Sequence, residues 1–239
     1  MTHVKNVQAF GKLTGICTGY GGAYNPGQQN LQVNAMATLM TKAQQAMDKV
    51  NEAQSLYDLA TNERFKAFKG LRHLASGVCA LLQASGADPL HVSDARASCR
   101  KIWGSRKATR KANAEATAEG KPKPAFGYPH DFASIVNYFA ALVETIANEP
   151  KYQPNEESMT RKGLQKRLAT LQRLNQGVTQ AEIRLTQAKR DRNELYYHQA
   201  DDNLFTTALS AKLYIRGIFG YRSAQHMEVA RLRFTKPRL

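Results

Sequence analysis

The sequence predicts an all-α protein: a pseudo-symmetric helical bundle of two similar three-helix units, with long coiled-coil-like antiparallel helices. Three observations predict this fold. Residues 24–68 recur in diverged form at 152–196, an offset of 128 positions. Apolar residues in both copies step by threes and fours, which is the period of a helix with one apolar face. The second copy carries leucines where the first carries smaller residues, so the two long helices are expected to pack together.

The repeat is the basis for the assignment of elements. At the 128-residue offset, Tyr24 falls on Tyr152 and Pro26 falls on Pro154. The other matched pairs are Met36 with Leu164, Met40 with Leu168, Val50 with Val178, Ala53 with Ala181, Tyr57 with Leu185, Ala60 with Ala188, Arg64 with Arg192 and Phe68 with Tyr196. Each match joins two apolar residues or two identical ones, which indicates a duplicated helical unit.

Each copy begins with a short helix followed by a turn that contains proline. These helices are predicted at residues 4–19 and 132–147. The glycine-rich stretch 19–27 is interpreted as a turn and not as a phosphate-binding loop, because no strand precedes it and the second copy lacks the glycines. Proline restricts its own backbone and that of the preceding residue, so each Tyr-x-Pro pair marks a rigid corner.

A long helix and a shorter one complete each copy. The long helices are predicted at 29–68 and 156–197, each about 60 Å in length at 1.5 Å per residue. Shorter helices follow at 71–84 and 204–219, each closed by a glycine. The residues predicted to cap helix starts are Asp88, Asp202 and Ser223. Alternation of Leu232 and Phe234 with polar residues predicts a half-buried extended tail.

Two arginines occupy matched positions near the ends of the long helices. Arg64 lies beside Glu63, and Arg192 lies beside Asp191. A guanidinium near a core needs a partner, because an unpaired buried charge is strongly destabilising. Structural ion pairs are the expected role, and a matched anion-binding pair is the alternative.

The copies are separated by a segment rich in Lys, Arg, Ala, Glu and Thr. With almost no large apolar residue, this segment cannot offset the entropy of ordering by burial. The predicted organisation is therefore a first helical repeat at 1–104, a basic linker at 105–129 and a second helical repeat at 130–239. The two repeats are expected to pack as one domain.

Composition limits the classes of function. Lysine and arginine number 34 against 19 acidic residues, for a net charge of +15. A positive field of this size favours nucleic acid or another polyanion as partner. The three cysteines, Cys17, Cys79 and Cys99, show neither disulfide-framework nor zinc spacing, so reduced thiols in a cytoplasm are expected. No window is long and apolar enough to predict a membrane span.

No motif predicts catalysis. The histidines do not form metal-ligand spacings, and His73 is interpreted as a core residue. The acidic pairs at 156–157 and 201–202 fall at predicted helix starts, where carboxylates favour the helix dipole. No nucleophile-elbow pattern accompanies the Ser, His and Asp residues. We therefore expect no enzyme, no cofactor, no catalytic residue and no metal site.

Several stretches resemble a group of uncharacterised bacterial all-helical proteins with an internal duplication. They are 20–27, 81–87, 100–104, 149–156 and 229–237. The resemblance spans nearly the whole chain and implies a stand-alone helical family of bacterial origin. No activity is assigned to that group, so the resemblance implies no site residue. The alternation of long and short helices also resembles helical pore-forming toxins, but the apolar inserting segment of those toxins is missing.

The expected function is therefore a non-catalytic binding or structural protein that engages a polyanion, with nucleic acid preferred, through its basic surface. The candidate contacts are Arg100, Lys101, Arg106, Lys107, Arg110, Lys111, Arg161, Lys162, Lys166, Arg167, Arg173, Arg231, Arg233, Lys236 and Arg238. Lysine and arginine neutralise phosphates without reading bases. Aromatic residues are not interleaved with these runs, which argues against base stacking. The alternative is a protein-protein scaffold or a self-assembling helical unit, with a protein partner or a homo-oligomer.

Overall fold

A computed structural model describes residues 2–104, 130–198 and 203–236. These residues form helices and turns with no β-strand among them, so the all-α prediction is confirmed. The α-helices in the described ranges are α1 (Thr2–Gly19), α2 (Val33–Phe68), α3 (Leu71–Ala84), α4 (Pro89–Trp103), α5 (Phe132–Ala147), α6 (Arg161–Asn193), α7 (Leu204–Phe219) and α8 (Ala224–Ala230). None of the described helices has the length and apolar composition of a membrane-spanning segment.

The chain forms two compact units. Unit 1 comprises Met1–Tyr57 and Ala181–Leu239, and unit 2 comprises Asp58–Gln180. Each predicted repeat thus supplies its first half to one unit and its second half to the other. The compact units do not coincide with the repeats at 1–104 and 130–239, because the long helices α2 and α6 each run from one unit into the other.

Unit 1 has a core built on α1, α7 and parts of the two long helices. Phe10 and Leu13 of α1 are fully buried in this core, together with Ile215 of α7. The predicted contact between the long helices is present here, because Leu185 of α6 packs with Val50 of α2.

Unit 2 has a core built on α3, α4, α5 and the start of α6. Val78 of α3, Ile102 of α4, Phe139 of α5 and Leu171 of α6 are all buried in it. The helix bounds predicted for α3, α5 and α7 are those observed. Strong apolar periodicity between clear stop signals explains this agreement.

The long helices begin later than predicted. Short 3-10 turns at Gln29–Leu31 and Glu157–Met159 precede α2 and α6. The tyrosine of each Tyr-x-Pro corner holds its turn: Tyr24 Oη donates to the carbonyl of Leu31, and Tyr152 Oη to that of Met159, both at 2.9 Å. Each tyrosine is buried, so its hydroxyl needs such a partner. The prediction treated these residues as helix and missed the turns.

Two of the three predicted caps are confirmed. Asp88 accepts a hydrogen bond from the amide of Leu90 at 2.7 Å, and Ser223 accepts one from the amide of His226 at 3.1 Å. The cap of α7 is Asn203, which accepts from the amide of Thr206, and not Asp202, which lies outside the described residues.

The matched arginines make contacts other than the predicted ion pairs. The guanidinium of Arg64 lies 4.2 Å from the ring centroid of Phe132, a cation–π contact. Arg192 donates to the side-chain oxygen of Asn193. Burial lowers the pKa of Arg192, which nearby Tyr196 partly opposes. The prediction relied on sequence neighbours, but adjacent residues on a helix point in different directions.

Two further predictions are wrong. His73 is exposed on α3 and not a core residue. The three cysteines are not all free thiols: a disulfide joins Cys79 of α3 to Cys99 of α4, and Cys17 alone is free and buried. The separation of 20 residues carried no local motif, and only the packing of α3 on α4 brings the pair together.

Reduction of this disulfide is expected to lower the free energy of unfolding of unit 2 by about 3 kcal/mol, because closing a loop over a separation of 20 residues restricts the unfolded chain. Urea denaturation with and without a thiol reductant measures the difference. The double variant C79A/C99A is the control, and its stability is expected not to respond to the reductant. Titration of all three cysteines in the unreduced, denatured protein would contradict the disulfide.

Candidate nucleic-acid interface

A groove in unit 2 combines basic and aromatic side chains. It lies along α4 and the end of α3 and encloses about 670 Å³. The lining residues are Gln83, Ala87, Pro89, Val92, Ser93, Arg96, Arg100 and Trp103. None of these lining residues is acidic, and two of them are arginines.

Helical spacing places the functional side chains of α4 in one row. Arg96, Arg100 and Trp103 follow one another at intervals of four and three, so they lie on one side of the helix. The neighbouring stripe, which includes Ala95 and Cys99, is buried in the core of unit 2. The row therefore lies beside the buried face and along the edge where α4 meets α3.

Trp103 is held in place but remains accessible. Its indole Nε1 donates to the backbone carbonyl of Arg72 on α3 at 3.3 Å, and 38% of the residue is exposed. It is also the single tryptophan of the chain. Because its only polar atom is already bonded, the exposed surface of the ring can offer only apolar or π contacts.

The two groove arginines differ in how they are held. Nη2 of Arg96 donates to the side-chain oxygen of Gln83 at 2.5 Å. A neutral partner orients this guanidinium and leaves its charge uncompensated. Arg100 is exposed in the last turn of α4, where the negative end of the helix dipole favours a cation.

The start of α4 is anchored by a nearly buried carboxylate. Glu149, which follows α5, has a side chain only 5% exposed and lies 2.9 Å from Nδ1 of His91. The carboxylate also accepts from the amides of Lys151 and Asp88. The hydrogen bond from His91 lowers the pKa of Glu149, and the same bond raises the pKa of His91. This network connects the end of α5 to the helix that carries the groove.

The candidate residues on α4 and α6 divide into several groups. Arg100 lines the groove, whereas Lys101 is half-buried with Nζ 5.8 Å from the ring centroid of Tyr138. Arg161 and Arg167 donate to the backbone carbonyls of Glu149 and Ala67, so both guanidinium groups are engaged within unit 2. Of the predicted contacts on α6, Lys162, Lys166 and Arg173 are exposed. Arg106, Lys107, Arg110 and Lys111 lie outside the described residues.

The remaining candidates belong to the end of unit 1. Arg231, Arg233 and Lys236 are exposed, while Leu232 and Phe234 between them are half-buried, as the alternation predicted. Lys212 and Asn6 hold this segment by hydrogen bonds to the backbone of Leu232 and Thr235, respectively. Arg238 lies outside the described residues. Among the predicted contacts that the structure describes, only Arg100 lines the groove of unit 2.

Arg96 and Trp103 are not among the contacts predicted from the sequence. The predicted contacts follow runs of positive charge, and Arg96 stands four positions before the run that begins at Arg100. The four-and-three spacing of Arg96, Arg100 and Trp103 was the available signal. Although aromatic residues are not interleaved with the basic runs in the sequence, Trp103 lines the same groove as the two arginines.

The described ranges offer no metal site of the usual kind, since no cluster of three or more His, Cys, Asp or Glu side chains that could hold a metal occurs there. No protein-family model matches the chain, and no curated protein or solved structure is significantly similar to it. The resemblance to a bacterial helical family therefore stays a prediction.

The His91–Glu149 pair makes stability depend on pH with a defined sign. The pKa of His91 is higher in the folded protein than in the unfolded chain, where it is about 6.5. The pair therefore stabilises the fold fully below about pH 6.5, and this stabilisation is lost as the pH rises through the pKa of the folded protein. The lowered pKa of Glu149 contributes stability above its unfolded value and loses it as pH falls through the folded value. His91→Gln is therefore expected to destabilise the protein more at about pH 5.5 than at about pH 8.5.

Urea denaturation of the wild type and the variant at both pH values measures this difference. His73→Gln, on an exposed histidine of α3, is the matched control. Burial lowers the pKa of His3 to about 4, so His3 makes the protein less stable at low pH. Because His3 is present in the wild type and in both variants, its contribution cancels when their free energies of unfolding are compared. An equal loss from His91→Gln at both pH values would contradict the charged pair.

Proposed function

We propose that this protein is a non-catalytic binding protein that engages nucleic acid through the groove of unit 2. The observation that supports the proposal is the row of Arg96, Arg100 and Trp103, in which two cations and one accessible aromatic ring line the same groove. Arginine binds phosphate with its planar fork of donors, and aromatic rings stack on bases.

The charge of the whole chain supports a polyanionic ligand. A net charge of +15 attracts polyanions at long range, and release of their counterions supplies affinity that falls steeply with salt. Lys162, Lys166 and Arg173 add exposed charge within unit 2. A polyanion without aromatic groups would leave Trp103 unused, which is the reason for preferring nucleic acid.

The second candidate function is self-association or a protein scaffold, favoured by an apolar surface in unit 1. Leu209 and Leu213 of α7 are 41% and 64% exposed. Leu213 also borders a cavity of about 480 Å³ lined in part by Pro26 and Tyr214. Contiguous exposed apolar side chains are typical of protein-interaction surfaces.

Fluorescence anisotropy with a labelled oligonucleotide, at about 50 and 200 mM salt, tests nucleic-acid binding. Binding is expected to weaken by orders of magnitude across this range. The variant R96Q/R100Q should bind more weakly and reduce the slope of log affinity against log salt by about 1 for each phosphate that is no longer neutralised. The double variant R184Q/R190Q, which removes two exposed arginines of unit 1, is the charge-matched control.

Light scattering under the same conditions separates the two candidates. Self-association would be supported, and nucleic-acid binding contradicted, by two results together: the wild type forms salt-insensitive oligomers that Leu213→Gln does not form, and no oligonucleotide binds. A double variant that binds as tightly as the wild type would remove the groove from the proposal.

We also propose that the fold arose as a pseudo-symmetric duplication with a coiled-coil-like pairing of the long helices. Two observations support this. The buried apolar residues of α2 recur 128 positions later on α6: Met36 with Leu164, Ala43 with Leu171, Val50 with Val178 and Ala53 with Ala181. The corner tyrosines make the same hydrogen bond over the same separation of seven residues.

This duplication predicts that one repeat folds only as a dimer. The fragment 130–239 contains one half of each compact unit, so two copies are expected to exchange halves and bury the same stripes. Its melting temperature, followed by circular dichroism across about a hundredfold range of concentration, should rise with concentration. A folded monomer, confirmed by ultracentrifugation, would contradict this exchange of halves, as would a fragment that stays unfolded at every concentration.

A further inference from the structure

We infer that the groove of unit 2 takes single-stranded nucleic acid, with a base stacked on Trp103 and the adjoining phosphates held by Arg96 and Arg100. This inference rests on the proposed function and narrows it to one class of ligand. It makes a claim that nucleic-acid binding alone does not make, namely that exposed base faces are required.

The indole of Trp103 is oriented before any ligand binds. Trp103 is fixed by the bond from Nε1 to the carbonyl of Arg72, yet more than a third of the residue is exposed at 38%. A solvent-exposed tryptophan is a large apolar surface left in water beside two cations. A ring that is already oriented loses little freedom when a base stacks on it, so the stacking free energy is retained as affinity.

The three side chains are spaced along α4 at intervals that suit a nucleic-acid strand. At 1.5 Å per residue, Arg96 and Arg100 are about 6 Å apart along the helix axis, and Trp103 lies about 4.5 Å beyond Arg100. The row therefore extends over about 10 Å, which corresponds to about three nucleotides of a stacked strand at 3.4 Å each. Two phosphates and one base of the same short segment can thus contact the three side chains together.

The floor of the groove is suited to contact with the face of a base. Ala87, Pro89 and Val92 are small or apolar side chains among the lining residues. Such a floor excludes water from a stacked base without requiring a particular hydrogen-bond pattern. The donors in the groove are suited to phosphates, so little selection among the four bases is expected.

Duplex nucleic acid fits this arrangement less well. Its base faces are stacked on each other inside the helix, and exposing one costs a few kcal/mol of unstacking and unpairing. A duplex can therefore meet the arginines but not the face of Trp103 at low cost. Single strands present both groups together.

Intrinsic fluorescence gives a direct test, because Trp103 is the single tryptophan of the chain. The wild-type protein is titrated with three ligands of equal length, about 12 nucleotides: an oligothymidylate, an abasic strand of the same backbone, and a duplex. The oligothymidylate is expected to quench Trp103, and the abasic strand and the duplex to bind about tenfold more weakly with little quenching.

Two variants distinguish stacking from a structural role of the indole. Trp103→Leu should weaken binding of the oligothymidylate about tenfold, as measured by anisotropy, while the salt slope stays unchanged because the substitution removes no charge. Trp103→Phe should restore most of the affinity. In contrast to Trp103→Leu, Arg100→Gln should lower the slope of log affinity against log salt, because it removes a charge. It should leave the quenching of Trp103 at saturating ligand unchanged.

The outcomes separate this inference from the proposed function. Equal binding of all three ligands without quenching would overturn base stacking and leave nucleic-acid binding in place. Absence of binding by every ligand at low salt would overturn both. If Trp103→Leu fails to fold, the comparison of the three ligands on the wild-type protein still decides the question.

Discussion

The structure depends on burial of a single apolar stripe on each of two long helices. Neither α2 nor α6 can bury its stripe alone, because an isolated amphipathic helix exposes one apolar face to water. In unit 1 the contact between Leu185 and Val50 satisfies part of this requirement, and in unit 2 Leu171 is buried among α3, α4 and α5. The short helices thus pack on the parts of the apolar stripes that the contact between the long helices leaves uncovered. The corner tyrosines then fix the point at which each long helix starts.

Local signals were enough to predict much of the fold. The bounds of α3, α5 and α7 follow from apolar periodicity and from stop residues such as Gly86 and Gly220, both of which adopt positive φ. The 3-10 turns before α2 and α6 were missed because periodicity counts them as helix. The compact units and the Cys79–Cys99 disulfide were missed for a different reason. Both depend on which distant segments pack together, and a single sequence carries no local record of that pairing.

The candidate site was only partly predictable for a related reason. Counting charges along the chain found Arg100 but also selected Arg161 and Arg167, whose guanidinium groups serve the backbone of their own unit. A charge run measures composition, whereas an interface depends on a helix face. Only the packing of α3 beside α4 turns the spacing of Arg96, Arg100 and Trp103 into a groove, because α3 supplies Gln83 and the carbonyl that holds the indole.

The basic residues differ in the groups that accept their hydrogen bonds. Lys212 and Arg161 donate to backbone carbonyls, which need a donor once they are removed from water. Arg96 instead donates to the amide of Gln83. A carboxylate at that position would have oriented the guanidinium equally well, but it would have neutralised the charge and competed with any phosphate. A neutral amide keeps the donor fork oriented and the positive potential intact, which is the arrangement a phosphate-binding arginine requires.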